Sequence, residues 1–96
     1  MNDAVNDNIT FGHALEALSE GNKVARAGWN GKGMWLIRVP GSVGVELNPN
    51  SPYYKAGLRN VDIEPHIDMF NAAGKMQPGW NPSQADLEAE DWVIVE

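Results

Sequence analysis

The step Asn30-Gly31 lies between two runs of strand-forming residues, Lys23 to Arg26 and Met34 to Val39. A tight turn of this type needs positive φ at both central residues, which asparagine and glycine tolerate best. The pattern therefore predicts a hairpin with Trp29 at its tip. Strands joined so closely must run antiparallel, so the sheet that grows from them is mainly antiparallel. Side-chain direction alternates along a strand, which places Trp35, Ile37 and Val39 on one face and Met34, Leu36 and Arg38 on the other. Pro40-Gly41 ends the run.

The rest of the chain adds to this pair. Thr10 is placed to cap a helix whose apolar residues Phe11, Ala14, Leu15 and Leu18 recur at i, i+3, i+4 and i+7, with Gly21 as its stop. Residues 40 to 61 are rich in Gly, Pro, Asn and Ser and read as a long surface excursion with one weak strand, Val43 to Leu47. His66 to Phe70 and Lys75 to Gln77, separated by Ala73-Gly74, form a second hairpin. Asn81 is the expected cap of a short helix that contains Pro82, Ser83, Gln84 and Asp86, and Trp92 to Val95 is the last strand. The expected fold class is α+β: a small, mainly antiparallel sheet with an N-terminal helix and a short second helix.

A chain of 96 residues has room for one domain. Residues 1 to 8 read as a flexible tail and residues 9 to 96 as a single ligand-binding domain. Without cysteine there are no disulfides, thiolate metal sites or cysteine nucleophiles. The start, Met1 to Asp7, lacks the basic and apolar segments of a signal peptide, and no apolar run approaches the ~20 residues of a membrane span. A soluble, cytoplasmic protein is expected. The net charge of −6 opposes binding to long nucleic acid. Yet Lys23, Arg26, Lys32 and Arg38 crowd one short stretch, while Asp86, Glu88, Glu90, Asp91 and Glu96 fill the end, so a local cationic corner could take a small anion.

Gly-Trp-Asn occurs twice, at residues 28 to 30 and 79 to 81. An indole borne on a turn, next to a carboxamide, suits a planar polar ligand such as a nucleobase, and the doubling reads as two walls of one pocket. Trp35 and Trp92, inside strand runs, read instead as core or subunit-interface residues. Ser83, Gln84 and Asp86 occupy a helix start, where free N–H groups hold an anion or simply receive caps. His66 and Asp68 share a strand face, as a base and its partner or as a structural pair. No HxxxH or HxH spacing supports a metal, no GxxxxGK[ST] loop a nucleotide triphosphate, and no GxSxG context a nucleophilic serine. Neither an enzyme nor a bound cofactor is indicated.

Several blocks together carry a resemblance: Phe11-Gly12 with Ala14-Leu15, Val24-Ala25-Arg26 leading into residues 28 to 34, Pro65 to Met69, Pro78-Gly79-Trp80, Ser83 to Asp86 and Ala89 to Trp92. In this order they resemble a small phage family, the second type of Thoeris anti-defence protein, over most of residues 9 to 95. The resemblance implies a sponge rather than an enzyme: a homotetramer that captures glycocyclic ADP-ribose, the signal made by a TIR-domain defence enzyme, and holds it uncleaved in the host cytoplasm. Some members of that family also bind cyclic oligonucleotides. On this reading Trp29 and Trp80 stack on the base, and Asn30, Gln84 and Asp86 bond base or ribose. Arg26 and Ser83 meet phosphate. The stretch 48 to 60 lies outside the pattern, and as a lid it would add Tyr53, Tyr54 and Arg59. The alternatives are a nucleotide hydrolase or lyase using His66 and Asp68, and a protein-interaction module built on the tryptophans.

Overall fold

The computed structural model describes residues 9–29 and 32–95 and contains seven strands and three short helices, so the α+β expectation holds. Helix α1 (Phe11–Ser19) starts where Thr10 Oγ1 accepts the His13 N–H. It buries Ala14, Ala17 and Leu18, and leaves Leu15 41% exposed. At about 100° per residue, Leu15 lies about 60° beyond the edge of the stripe those three define, which displaces the expected Leu15 from the core and brings in Ala17.

Strands β1 (Lys23–Arg26), β2 (Trp35–Val39), β5 (His66–Phe70), β6 (Met76–Gln77) and β7 (Trp92–Val95) form one antiparallel sheet in the order β6-β5-β2-β1-β7. Val24 opposes Leu36 and Ile94, Leu36 opposes Met69, and Arg26 opposes Trp92. Directly opposed residues share a face, so these side chains look toward α1. Val24, Leu36, Trp92, Ala14, Ala17 and Leu18 make the buried core. The opposite face carries Trp35 stacked on Phe70, ring centroids 4.9 Å apart, with the Lys23 ammonium 5.0 Å from the indole. The expected parity of β2 is therefore the observed one, with Leu36 and Arg38 on the helix side.

Three local expectations change. The β1–β2 connection is not a two-residue turn: eight residues separate the strands, and Ala27–Trp29 form a 3₁₀ turn. Ala27 N–H donates to the Asp91 carbonyl and Gly28 N–H to Asp91 Oδ2, at 3.0 and 2.7 Å, which ties the departing chain to β7 before it can reverse. Asn30 and Gly31 themselves lie outside the described residues. The cap of α3 (Gln84–Glu88) is Ser83, not Asn81. Ser83 and Asp86 stand three apart and bond reciprocally, which fixes the start of the helix at Gln84.

The excursion is also ordered. Strands β3 (Ser42–Glu46) and β4 (Asn60–Ile63) pair as a separate two-stranded ribbon, with α2 (Pro52–Lys55), capped by Ser51, between them. Strand β4 went unread because Asn60 and Asp62 break the β-rich run. Gly41, φ +90°, starts the ribbon, and a Cβ there would stand 2.4 Å from the Ile63 carbonyl oxygen. The ribbon projects from the body. The radius of gyration is 16.0 Å and the extents 48 × 27 × 25 Å, against about 12–13 Å for a compact chain of this length.

Candidate functional site

Trp92 organises the aromatic residues. Its indole is fully buried, donates Nε1–H to the Asp86 carbonyl at 3.0 Å, and meets Phe11, Trp29 and Trp80 at centroid distances of 5.4, 5.5 and 6.2 Å. Trp29 and Trp80 both stand edge-on to it and both are half-buried. Each thus has one edge anchored in the core and part of its surface free. Edge-to-face packing of this kind adds about 0.5–1.5 kcal/mol to the apolar burial and fixes the ring planes.

The two indoles open into different clefts within one chain, so they are not two walls of a single intrachain pocket. Trp80 lines a cleft of about 510 Å³ with Arg38, Pro65, His66, Ile67, Gly79 and Asn81. Trp29 lines one of about 450 Å³ with Arg26, Lys32, Met34, Trp35, Val93 and Val95 among others. Both volumes fall in the range of small-molecule sites.

A register irregularity builds the first cleft. Met69 opposes Gln77, yet the Trp80 N–H donates to the carbonyl of Ile67, at 2.8 Å. Three residues on one side thus answer two on the other. Gly79, at φ +79°, is the extra residue. An inserted residue in left-handed backbone shifts the alternation, so Trp80 falls on the helix face with Ile67 and Arg38 rather than away from it. Arg38 opposes Ile67 across β2–β5 and, among the described residues, has no ion pair. Arg38 and Trp80 thus meet at one opening on the helix face, which Asn81 also lines; His66 lines it from the sheet edge, its ring turned to Asp68 on the other face of β5. Such a set can stack a base and bind a phosphate bidentately.

The remaining sequence-predicted residues occupy a different network. Arg26 donates Nη1–H to Asp86 Oδ1 and Nε–H to Asp91 Oδ1, both at 2.9 Å. Asp86 Oδ2 accepts the Ser83 N–H at 2.9 Å while the Ser83 hydroxyl accepts the Asp86 N–H at 3.1 Å, a complete capping box. The Asp91 and then the Asp86 hydrogen bonds raise the Arg26 pKa. Arg26 in turn is the main cause of the lowered Asp91 pKa, with Gly28 N–H helping. Burial alone would raise Asp86, but the Ser83 amide, Arg26 and the Ser83 hydroxyl outweigh it and hold its carboxyl below the ordinary 3.8. Ser83, Asp86 and Arg26 therefore spend these groups on joining α3, β1 and β7. Gln84 is exposed at the start of α3, Trp29 faces the second cleft, and Asn30 is outside the described residues.

Arg38, His66 and Asn81 complete the Trp80 cleft but were not among the sequence-predicted ligand contacts. The parity of β2 already placed Arg38 beside Leu36; the missing signal was the extra residue at Gly79, which alone brings Trp80 to that face. Among the described residues no group of three or more His, Asp or Glu could hold a metal, and no helix is long and apolar enough to cross a membrane.

The profile of the Thoeris anti-defense 2-like domain matches residues 9–95. Thoeris anti-defense 2 of Bacillus phage SP01 is 36% identical over 87 residues, which covers 91% of this chain and 94% of that protein. The matched span runs through the core helix, every strand and both clefts, and on it the chain belongs to the Thoeris anti-defense 2-like family.

Proposed function

We propose that this chain is a phage anti-defence sponge of the bacterial cytoplasm, which binds a cyclic ADP-ribose-type signal such as glycocyclic ADP-ribose and holds it uncleaved. The observation that carries the reading is the Trp80 cleft in a chain of this family: an anchored indole beside a guanidinium with no ion pair among the described residues, with His66 and Asn81 able to bond polar edges. Adenine takes the indole face, and the diphosphate takes Arg38. Ribose hydroxyls take His66 and Asn81.

The second set of contacts comes from a neighbouring protomer in a homotetramer, where Trp29, with Lys32, faces the Trp80 cleft of its partner. Two observations support this. The 510 Å³ opening is shallow for enclosing a dinucleotide-sized ligand, and sequestration needs nanomolar affinity, about −12 kcal/mol, which favours a site closed from two sides. Arg26, Ser83 and Asp86 act behind the site by fixing the Trp29 turn and α3, and Gln84, at the exposed end of α3, remains available to a ligand.

Calorimetric titration with glycocyclic ADP-ribose tests the site. Base stacking on an aromatic ring is worth about 1–3 kcal/mol, so Trp80→Ala should weaken binding by about 10- to 100-fold. An unchanged affinity in a folded Trp80→Ala protein would remove Trp80 from the site.

A further inference from the structure

Asp68 is 6% exposed, yet it has no lysine or arginine partner among the described residues. Its carboxylate oxygen Oδ1 accepts two bonds: one from the Gly79 N–H at 3.0 Å and one from His66 Nδ1 at 2.7 Å. Both donors belong to residues that line the Trp80 cleft, His66 on β5 and Gly79 at the irregular return from β6. Asp68 lies on β5 itself, two residues from His66 and on the same face, and opposes Ile37 of β2.

We infer that Asp68 is a positioning residue that sets the geometry and the hydrogen-bonding polarity of the Trp80 cleft, an inference that rests on the ligand reading above. Two effects follow from one oxygen. A carboxylate accepts and does not donate, so an Nδ1 at 2.7 Å must carry the ring proton. When that is the ring's one proton, the other nitrogen, Nε2, is an acceptor, suited to a ligand hydroxyl or exocyclic amine rather than to a carbonyl or phosphate oxygen. The bond to the Gly79 amide anchors the extra residue whose left-handed backbone turns Trp80 to the helix face. Without that anchor, Gly79 is free to take other conformations, since glycine has the widest choice of them. Asp68 would thereby select a ligand that offers donors beside its flat face, as a ribose or adenine does.

Three variants and two ligand-independent readouts test this. In the wild-type protein, long-range ¹H–¹⁵N spectra should show His66 as the Nδ1–H tautomer, and the Gly79 amide should exchange slowly. Asp68→Ala should lose both features and weaken glycocyclic ADP-ribose by about tenfold, the scale of one or two buried hydrogen bonds. Asp68→Asn keeps an acceptor oxygen and should retain the Gly79 protection and most of the affinity. A wild-type His66 in the Nε2–H form, or an Asp68→Ala protein that binds as tightly as wild type, would overturn the inference. If Asp68→Ala does not fold, His66→Phe carries the test: it leaves the Gly79 bond in place and should weaken binding several-fold, and an unchanged Kd would count against the proposal. A wild-type protein that binds no glycocyclic ADP-ribose would sink the ligand reading instead, while the ring tautomer and Gly79 exchange still decide the role of Asp68.

Discussion

Each polar side chain near the clefts can be sorted by what its atoms already bond. Arg26, Asp86 and Asp91 form a closed ion-pair network, whereas Arg38 has no ion pair among the described residues. This gives the network a signature in acid. Asp86 and Asp91 titrate below 3.8 in the folded chain, so the unfolded chain binds protons more readily. Their contribution is complete above the unfolded value and is lost as pH falls through the lower folded values. The urea midpoint should therefore drop as pH goes from about 5 to about 2, and Arg26→Met, which removes the main or a contributing cause of each shift, should flatten that drop. Equal slopes in the two proteins would assign acid sensitivity elsewhere. Sequence alone named Arg26, Ser83 and Asp86 as ligand contacts because residue type does not reveal whether a charge is already paired. It named Trp80 because an indole on a turn is legible locally, and it placed Arg38 only in a general cationic corner because the cleft that holds it depends on a register shift at Gly79, far along the chain.

Among the secondary-structure elements, the ones read well are those whose signal is periodic and contiguous: α1, β1, β2, β5 and β7. The tertiary ties decided the rest. Asp91 captures the 3₁₀ turn, which no hairpin rule applied to residues 28 to 33 anticipates, and Ser83 outcompetes Asn81 as a cap because Asp86 answers it. The ribbon looked like a loop because its strands are short and polar, and its order comes from backbone pairing and from Gly41. That glycine makes a sharp prediction. At Gly41 an alanine meets both positive φ and a carbonyl oxygen at 2.4 Å, whereas at Gly44, φ +67°, the space is open. Gly44→Ala should cost about 1 kcal/mol, the usual left-handed penalty, and Gly41→Ala clearly more, with urea unfolding as the measurement. Equal costs would mean that the ribbon does not pivot on that contact.

Seen whole, the molecule is elongated and leaves apolar side chains outside. Val43 is 88% exposed and Tyr53 53%, both on the ribbon, and the sheet face bearing Trp35 and Phe70 has neither α1 nor α3 upon it. Surfaces of this kind fit the proposed tetramer, so scattering or gel filtration at micromolar concentration should give about four times the chain mass. A lone chain would contradict a site shared between protomers. The central claim is capture without chemistry, and it is tested by one mass-balance experiment. Glycocyclic ADP-ribose is incubated with a stoichiometric amount of protein, free ligand is measured, the protein is heat-denatured, and the released material is analysed by chromatography. Sequestration predicts that the free signal disappears on mixing and returns intact on denaturation. Recovery of a cleaved or rearranged nucleotide would replace the sponge with an enzyme, and a free signal that never falls would remove the ligand altogether.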